Sequence, residues 1–222
     1  MAKLEIACFN LQSAFIAQAN GADRVELCDG LEVGGTTSSI KMVVEARKEL
    51  TLDLYVMIRP RGGNFVYSEE EFKQMKSDIL TLKELKVDGF VFGILNKDKS
   101  VNLEQNKILV DLAKPFPCTF HRAFDEVEDA FQSLEEIIQC GFQTILTSGQ
   151  QPNVVQGMQR LTDLVENANN RIVIMPGGGL RSSNSEEIQQ KTKAVFYHSS
   201  AISDETGMAN AAEIITLKSK LK

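Results

Sequence analysis

The chain has 222 residues, 43% hydrophobic and 24% charged, the composition of an ordinary globular domain, and this excludes disordered and fibrous classes. Its net charge of -6 carries no basic cluster beyond Lys218-Ser-Lys-Leu-Lys222, so no nucleic-acid partner is expected. The apolar runs are strand-length, far below the about 20 residues that span a bilayer, and the first residues show no signal-peptide core. No membrane partner and a cytoplasmic location are therefore expected.

Periodicity resolves the chain into repeated strand and helix. A strand over 3–9 leads into a helix over 11–20, a strand over 24–28 into a helix over 38–50, and a strand over 54–59 into a helix over 68–85. Strands over 89–94 and 118–121 precede helices over 102–113 and 126–140. The last three units pair 144–147 with 153–167, 172–175 with 183–191, and 195–198 with 210–221. Ser68-Glu-Glu-Glu71 reads as a capping box, and Gly141 as the residue that ends the helix before it. No long linker interrupts the pattern, so residues 1–222 are read as one domain. Alternating strand and helix implies a parallel sheet with right-handed crossovers, open or closed. Eight such units favour the closed form, an α/β single (β/α)8 TIM barrel. Phe15 and Phe72, on predicted helices, suit either a contact between copies in a homo-oligomer or packing against the barrel.

Barrel strands are buried on both faces, so ionisable residues in them need partners or a place near the mouth. Alternation turns Val25 and Leu27 toward the helices and Glu26 into the lumen, with Tyr55, Met57 and Arg59 inward on the third strand and Thr119 and His121 inward on the fifth. Polar, glycine-rich segments follow the strands' C-terminal ends, where such barrels carry their sites. On that rim Arg59, Arg61 and Arg122 offer forks for carboxylate or phosphate, and Glu26, His121 and Asp125 are candidate acids and bases. A network of ion pairs plugging the barrel mouth is the alternative. Pro176-Gly-Gly-Gly-Leu-Arg-Ser182 is read as an anion cradle through Gly178 and Gly179, with Ser148, His198, Ser199 and Ser200 completing it, against the plainer reading of a glycine turn. A small anionic or phosphorylated ligand is the expectation from the residues alone.

Cys8, Cys28, Cys118 and Cys140 show no C-x-x-C spacing and are expected as free thiols. Taken together, Arg24-Val-Glu-Leu-Cys-Asp29, Gly34-Gly-Thr-Thr37, Met57-Ile-Arg-Pro-Arg-Gly-Gly63, Phe120-His-Arg-Ala-Phe-Asp125, Leu146-Thr-Ser-Gly149, Ile174-Met-Pro-Gly-Gly-Gly179 and Phe196-Tyr-His-Ser-Ser-Ala201 resemble the CutC family, named for copper homeostasis. The chain departs from the family's pattern at Ser38, where proline is frequent, and at Asn64, where aspartate is. The resemblance implies a TIM barrel, a cytoplasmic location and a copper ion as ligand, held by Cys28 and Cys8 with His121 or His198. Cu(I) prefers soft sulfur, yet strand parity sets Cys28 inward and Cys8 outward. Two functions thus stand side by side: a copper-binding homeostasis protein, and a barrel enzyme or sensor acting on a small anionic metabolite.

Overall fold

A computed structural model describes residues 2–221. Eight strands, β1 (Lys3–Cys8), β2 (Arg24–Leu27), β3 (Asp53–Met57), β4 (Gly89–Phe92), β5 (Cys118–Phe120), β6 (Thr144–Thr147), β7 (Val173–Pro176) and β8 (Phe196–Ser199), form one parallel sheet in the order β7-β6-β5-β4-β3-β2-β1-β8. β7 and β8 meet across the closing seam, so the expected barrel is formed. The helices between and after them are α1 (Leu11–Ala19), α2 (Ile40–Glu49), α3 (Glu69–Glu84), α4 (Leu103–Ala113), α5 (Ala130–Cys140), α6 (Met158–Ala168), α7 (Ser185–Thr192) and α8 (Ala211–Lys220).

Local chemistry sets the helix ends. Ser68 accepts from the Glu71 amide while the Glu71 carboxylate accepts from Ser68 N–H, the predicted capping box, and Gly141 ends α5 at φ 93°. Two expected helix starts move by a full turn or more. α5 begins at Ala130 instead of 126, because Asp129 caps the amides of Phe131 and Gln132 and residues Arg122–Glu126 form a 3-10 turn. α6 begins at Met158 instead of 153, because the Asn153 side chain accepts from the amides of Val155 and Gln156 and the Val154 amide is drawn to the Gly178 carbonyl. Both segments thereby join the rim instead of the helix layer.

The main core lies between barrel and helices. A second, smaller cluster of Cys28, Tyr55, Met57 and Val91, with Phe9 against it, fills the lumen. Tyr55 lies flat over Gly89, where any Cβ would come within 2.4 Å of the ring, so only glycine fits there. Phe72 is buried in the main core and the partly buried Phe15 packs against it.

Candidate functional site

The lumen carries two polar layers. The deeper one is closed on itself. Arg24 Nε donates to Glu5 Oε2 at 2.5 Å, and its guanidinium lies 3.9 Å from the centre of the Tyr55 ring and 4.2 Å from that of Phe196. Burial works to raise the Glu5 pKa, but the Arg24 charge and the His198 hydrogen bond outweigh it and hold the acid ionised. An ionised Glu5 only accepts, so the 2.7 Å contact between Glu5 Oε1 and His198 Nδ1 is an Nδ1–H donation. This bond and the charges of Glu26 and Glu5 raise the His198 pKa in spite of its burial.

One step toward the mouth, the partners run out. Glu26 is 2% exposed; Oε2 stands 3.8 Å from His198 Nε2, beyond hydrogen-bond reach, and Oε1 has no hydrogen-bond partner among the described residues. Burial lifts its pKa to about 7, with the His198 charge opposing and the Glu5 charge assisting. Across the lumen His121, 3% exposed, accepts from the Ala123 amide at Nδ1, so the neutral ring carries its proton at Nε2, which also has no partner. Burial, with the Arg59 charge, lowers the His121 pKa to about 3, so it is a neutral donor. Gly93 makes room for it: a Cβ there would lie 2.8 Å from His121 Nδ1. The Arg59 guanidinium ties two rim loops together, its terminal nitrogens donating to the carbonyls of Val33, Gly35 and Gly63 at 2.8 Å each, and leaves Nε unpartnered. Glu26, Arg59 and His121 line one cavity of 90 Å³ with Cys28, Met57, Phe65, Arg122, Leu146 and His198.

The structure therefore gathers Glu26, Cys28, Arg59, His121, Arg122 and His198 from the residues singled out in the sequence, and leaves others aside. Cys8 packs in the wall between barrel and helices, because β1 turns Glu5 and Ala7 inward, whereas Cys28 packs in the lumen, although the Cys28 amide donates to the Cys8 carbonyl at 2.9 Å. Arg61 is held outside by Glu71, with Nε–Oε1 at 2.6 Å, and by the carbonyls of Asn64 and Val66. Asp125 is no free acid or base: it accepts from Thr147 Oγ1, the amides of Ser148 and Gln150, and Arg122 Nε. Ser148 Oγ accepts from Arg122 and is engaged with the Gln151 carbonyl, and Ser199 Oγ donates to the Leu180 carbonyl and accepts from Arg181. Gly178 lies under the Arg122 guanidinium, whose Cζ is 3.1 Å from where a Cβ would stand; Gly179 accepts from the Asn184 side chain, and Ser200 Oγ from the Ile202 amide. The rim serines and Asp125 thus build the loops.

Sequence reasoning passed over Arg24, and it turned Met57 into the lumen without giving it a role. The signal for Arg24 was its parity: it stands two residues before Glu26 and so on the same face. Cys28 Sγ and the Met57 methyl approach one spot, 3.5 and 3.3 Å from a Cβ placed on Gly35, so the second soft sulfur residue beside Cys28 is Met57. Burial, then the Glu26 charge, raise the Cys28 pKa well above the ordinary thiol value.

Fold and site define a (β/α)8 barrel protein with its polar centre in the mouth of the lumen. The CutC family profile matches residues 2–203, and the chain belongs to the CutC family. It is 46% identical over 200 residues to a CutC family protein of Parabacteroides distasonis, covering 89% of this chain and 82% of that one. The human copper homeostasis protein cutC homolog is 41% identical over 198 residues, 89% of this chain and 72% of its own. The crystal structure of the copper homeostasis protein CutC of Streptococcus agalactiae superposes with a TM-score of 0.86 at 37% identity, over 90% of this chain and 99% of that one.

Proposed function

We propose that this protein acts in copper homeostasis, the role for which its human and streptococcal relatives are named, and that it takes Cu(I) as cargo in the lumen cavity. The observation that carries the reading is the meeting of a thiol and a thioether, Cys28 and Met57, on one wall of a cavity that His121 and His198 also line. Sulfur and imidazole are the donors soft Cu(I) selects. The Cys28 thiol is protonated at neutral pH, so binding releases its proton, and affinity rises with pH. Cys8 has no part in it. Four unpaired cysteines are in keeping with a reducing, cytoplasmic setting. Titration with Cu(I) against a competing chelator tests the reading: one tight equivalent that survives Cys8→Ala and disappears in Cys28→Ala is expected. Binding that survives Cys28→Ala refutes the site.

A second reading, an enzyme acting on a small anionic substrate, is favoured by a separate observation. Three cavity-lining side chains, Glu26, Arg59 and His121, each at most 5% exposed, carry a polar atom with no partner in the protein. A buried polar atom left unpaired costs about 1–3 kcal/mol, and three in one cavity call for a ligand with complementary groups.

A further inference from the structure

The geometry points to a proton-transfer activity in this cavity: Glu26 is a general base for the carbon acid next to a small carbonyl group, and His121 and Arg59 receive the charge that develops on the carbonyl oxygen. The inference rests on the second reading above and names its reaction and substrate class.

The two oxygens of Glu26 have different surroundings. Oε2 faces His198, 3.8 Å away, while Oε1 has no partner and belongs to a side chain lining the cavity. His198 is fixed by its bond to Glu5, and Glu5 by Arg24, so a chain of buried contacts orients the group behind the base. In the same cavity lining, the proton on His121 Nε2 is fixed by the Ala123 amide at Nδ1, as a neutral donor with no hydrogen-bond partner among the described residues. Arg59 is pinned by three carbonyls, its side chain also meets the Tyr67 hydroxyl, and its charge acts on the His121 ring. A base and a fixed N–H donor lining one cavity are the parts required for enolisation.

In the step, Glu26 Oε1 takes the proton from the carbon beside the carbonyl. The C–H electron pair forms the new C=C bond, the C=O π pair moves to oxygen, and the resulting enolate is stabilised by N–H donation from His121 and by the nearby Arg59 charge. Return of a proton from Glu26 to the same carbon, with the oxygen lone pair re-forming C=O, regenerates Glu26 and the carbonyl compound and yields exchange of that hydrogen with solvent. No oxidant or other co-reactant enters. A cavity of 90 Å³, with Phe65, Met57 and Leu146 among its apolar walls, has room for only a small compound, a 2-oxo acid or hydroxyketone of three or four carbons. Arg122 at the mouth suits a carboxylate on it.

The test has two arms, run on the full chain. Pyruvate, 2-oxobutyrate, hydroxypyruvate and dihydroxyacetone are incubated with it in D2O and followed by proton NMR. Oxalate, which mimics the enolate of a 2-oxo acid, is titrated separately by calorimetry. We expect enzyme-dependent loss of the proton signal from at least one of the four, reduced about 10²–10⁴-fold in Glu26→Gln, with oxalate bound by wild type and weakened at least tenfold in His121→Phe. Circular dichroism and a thermal melt at or above wild-type level show that Glu26→Gln is folded. Oxalate binding without exchange in any probe overturns the proton transfer and leaves the anion reading standing. Neither exchange nor oxalate binding overturns both, and exchange that persists in Glu26→Gln overturns the assignment of the base.

Discussion

The two acids of the lumen differ in everything but their burial. Glu5 sits between Arg24 and His198 with both oxygens engaged, whereas Glu26, one layer nearer the mouth, has one oxygen facing His198 beyond bonding distance and another with no hydrogen-bond partner among the described residues. The first is held ionised and the second holds its proton up to about pH 7. The contrast separates the part of the lumen that holds the barrel together from the part that is open to chemistry. A satisfied ion pair inside a barrel is structure; an unsatisfied acid beside it is a place for a ligand.

The comparison breaks most strongly at Arg24. Removing it leaves Glu5 buried without its cation, so Arg24→Ala is expected to lose about 3–5 kcal/mol in urea denaturation, as broken buried pairs do. A loss within error of zero would place Glu5 in water. His121 gives the next effect. Its folded pKa of about 3 lies below the ordinary 6.5, so its contribution to stability is present above 6.5 and is lost as the pH falls toward 3. Between pH 6.5 and 4 the loss is roughly 3 kcal/mol by linkage, and His121→Gln, which accepts and donates without titrating, flattens that limb.

Glu26 carries the opposite sign. Its folded pKa is raised from 4.5 to about 7, so its contribution is complete below 4.5 and is lost as the pH rises to 7. Glu26→Gln is therefore expected to be more stable than wild type at pH 8 by on the order of 2 kcal/mol, with a smaller difference at pH 5. Equal melting temperatures at pH 8 count against a buried, unpaired acid. The smallest change is at Gly93, where an added methyl meets the His121 ring. Gly93→Ala is expected to lose about 1 kcal/mol through overpacking and to weaken oxalate more than it weakens the fold.

Much of this was legible in the order of residues. Eight β-rich runs, each followed by a helical period, define the barrel, and the period of two along a strand sets Glu26, Met57, Arg59 and His121 on one face before any coordinates are consulted. The partner of each polar group was not legible. Glu5 and His198 are 193 positions apart and meet only because β1 pairs with β8. Glu71 was readable as half of a capping box, but the capture of Arg61 by the same carboxylate depends on the path of the loop after β3. Asp125 reads as a free acid until the loop after β6 folds its amides onto it. Parity shows where a side chain points, and only packing shows whether a partner is waiting there.

The most direct test is a carboxyl carbon-13 NMR titration of the glutamate-labelled protein, with the Glu26 signal assigned from its loss in Glu26→Gln and that of Glu5 from Glu5→Gln. The account predicts a Glu26 midpoint near 7 and a Glu5 signal that stays ionised to below the ordinary value of 4.5. A Glu26 midpoint at or below 4.5, or two acids titrating together, would contradict it.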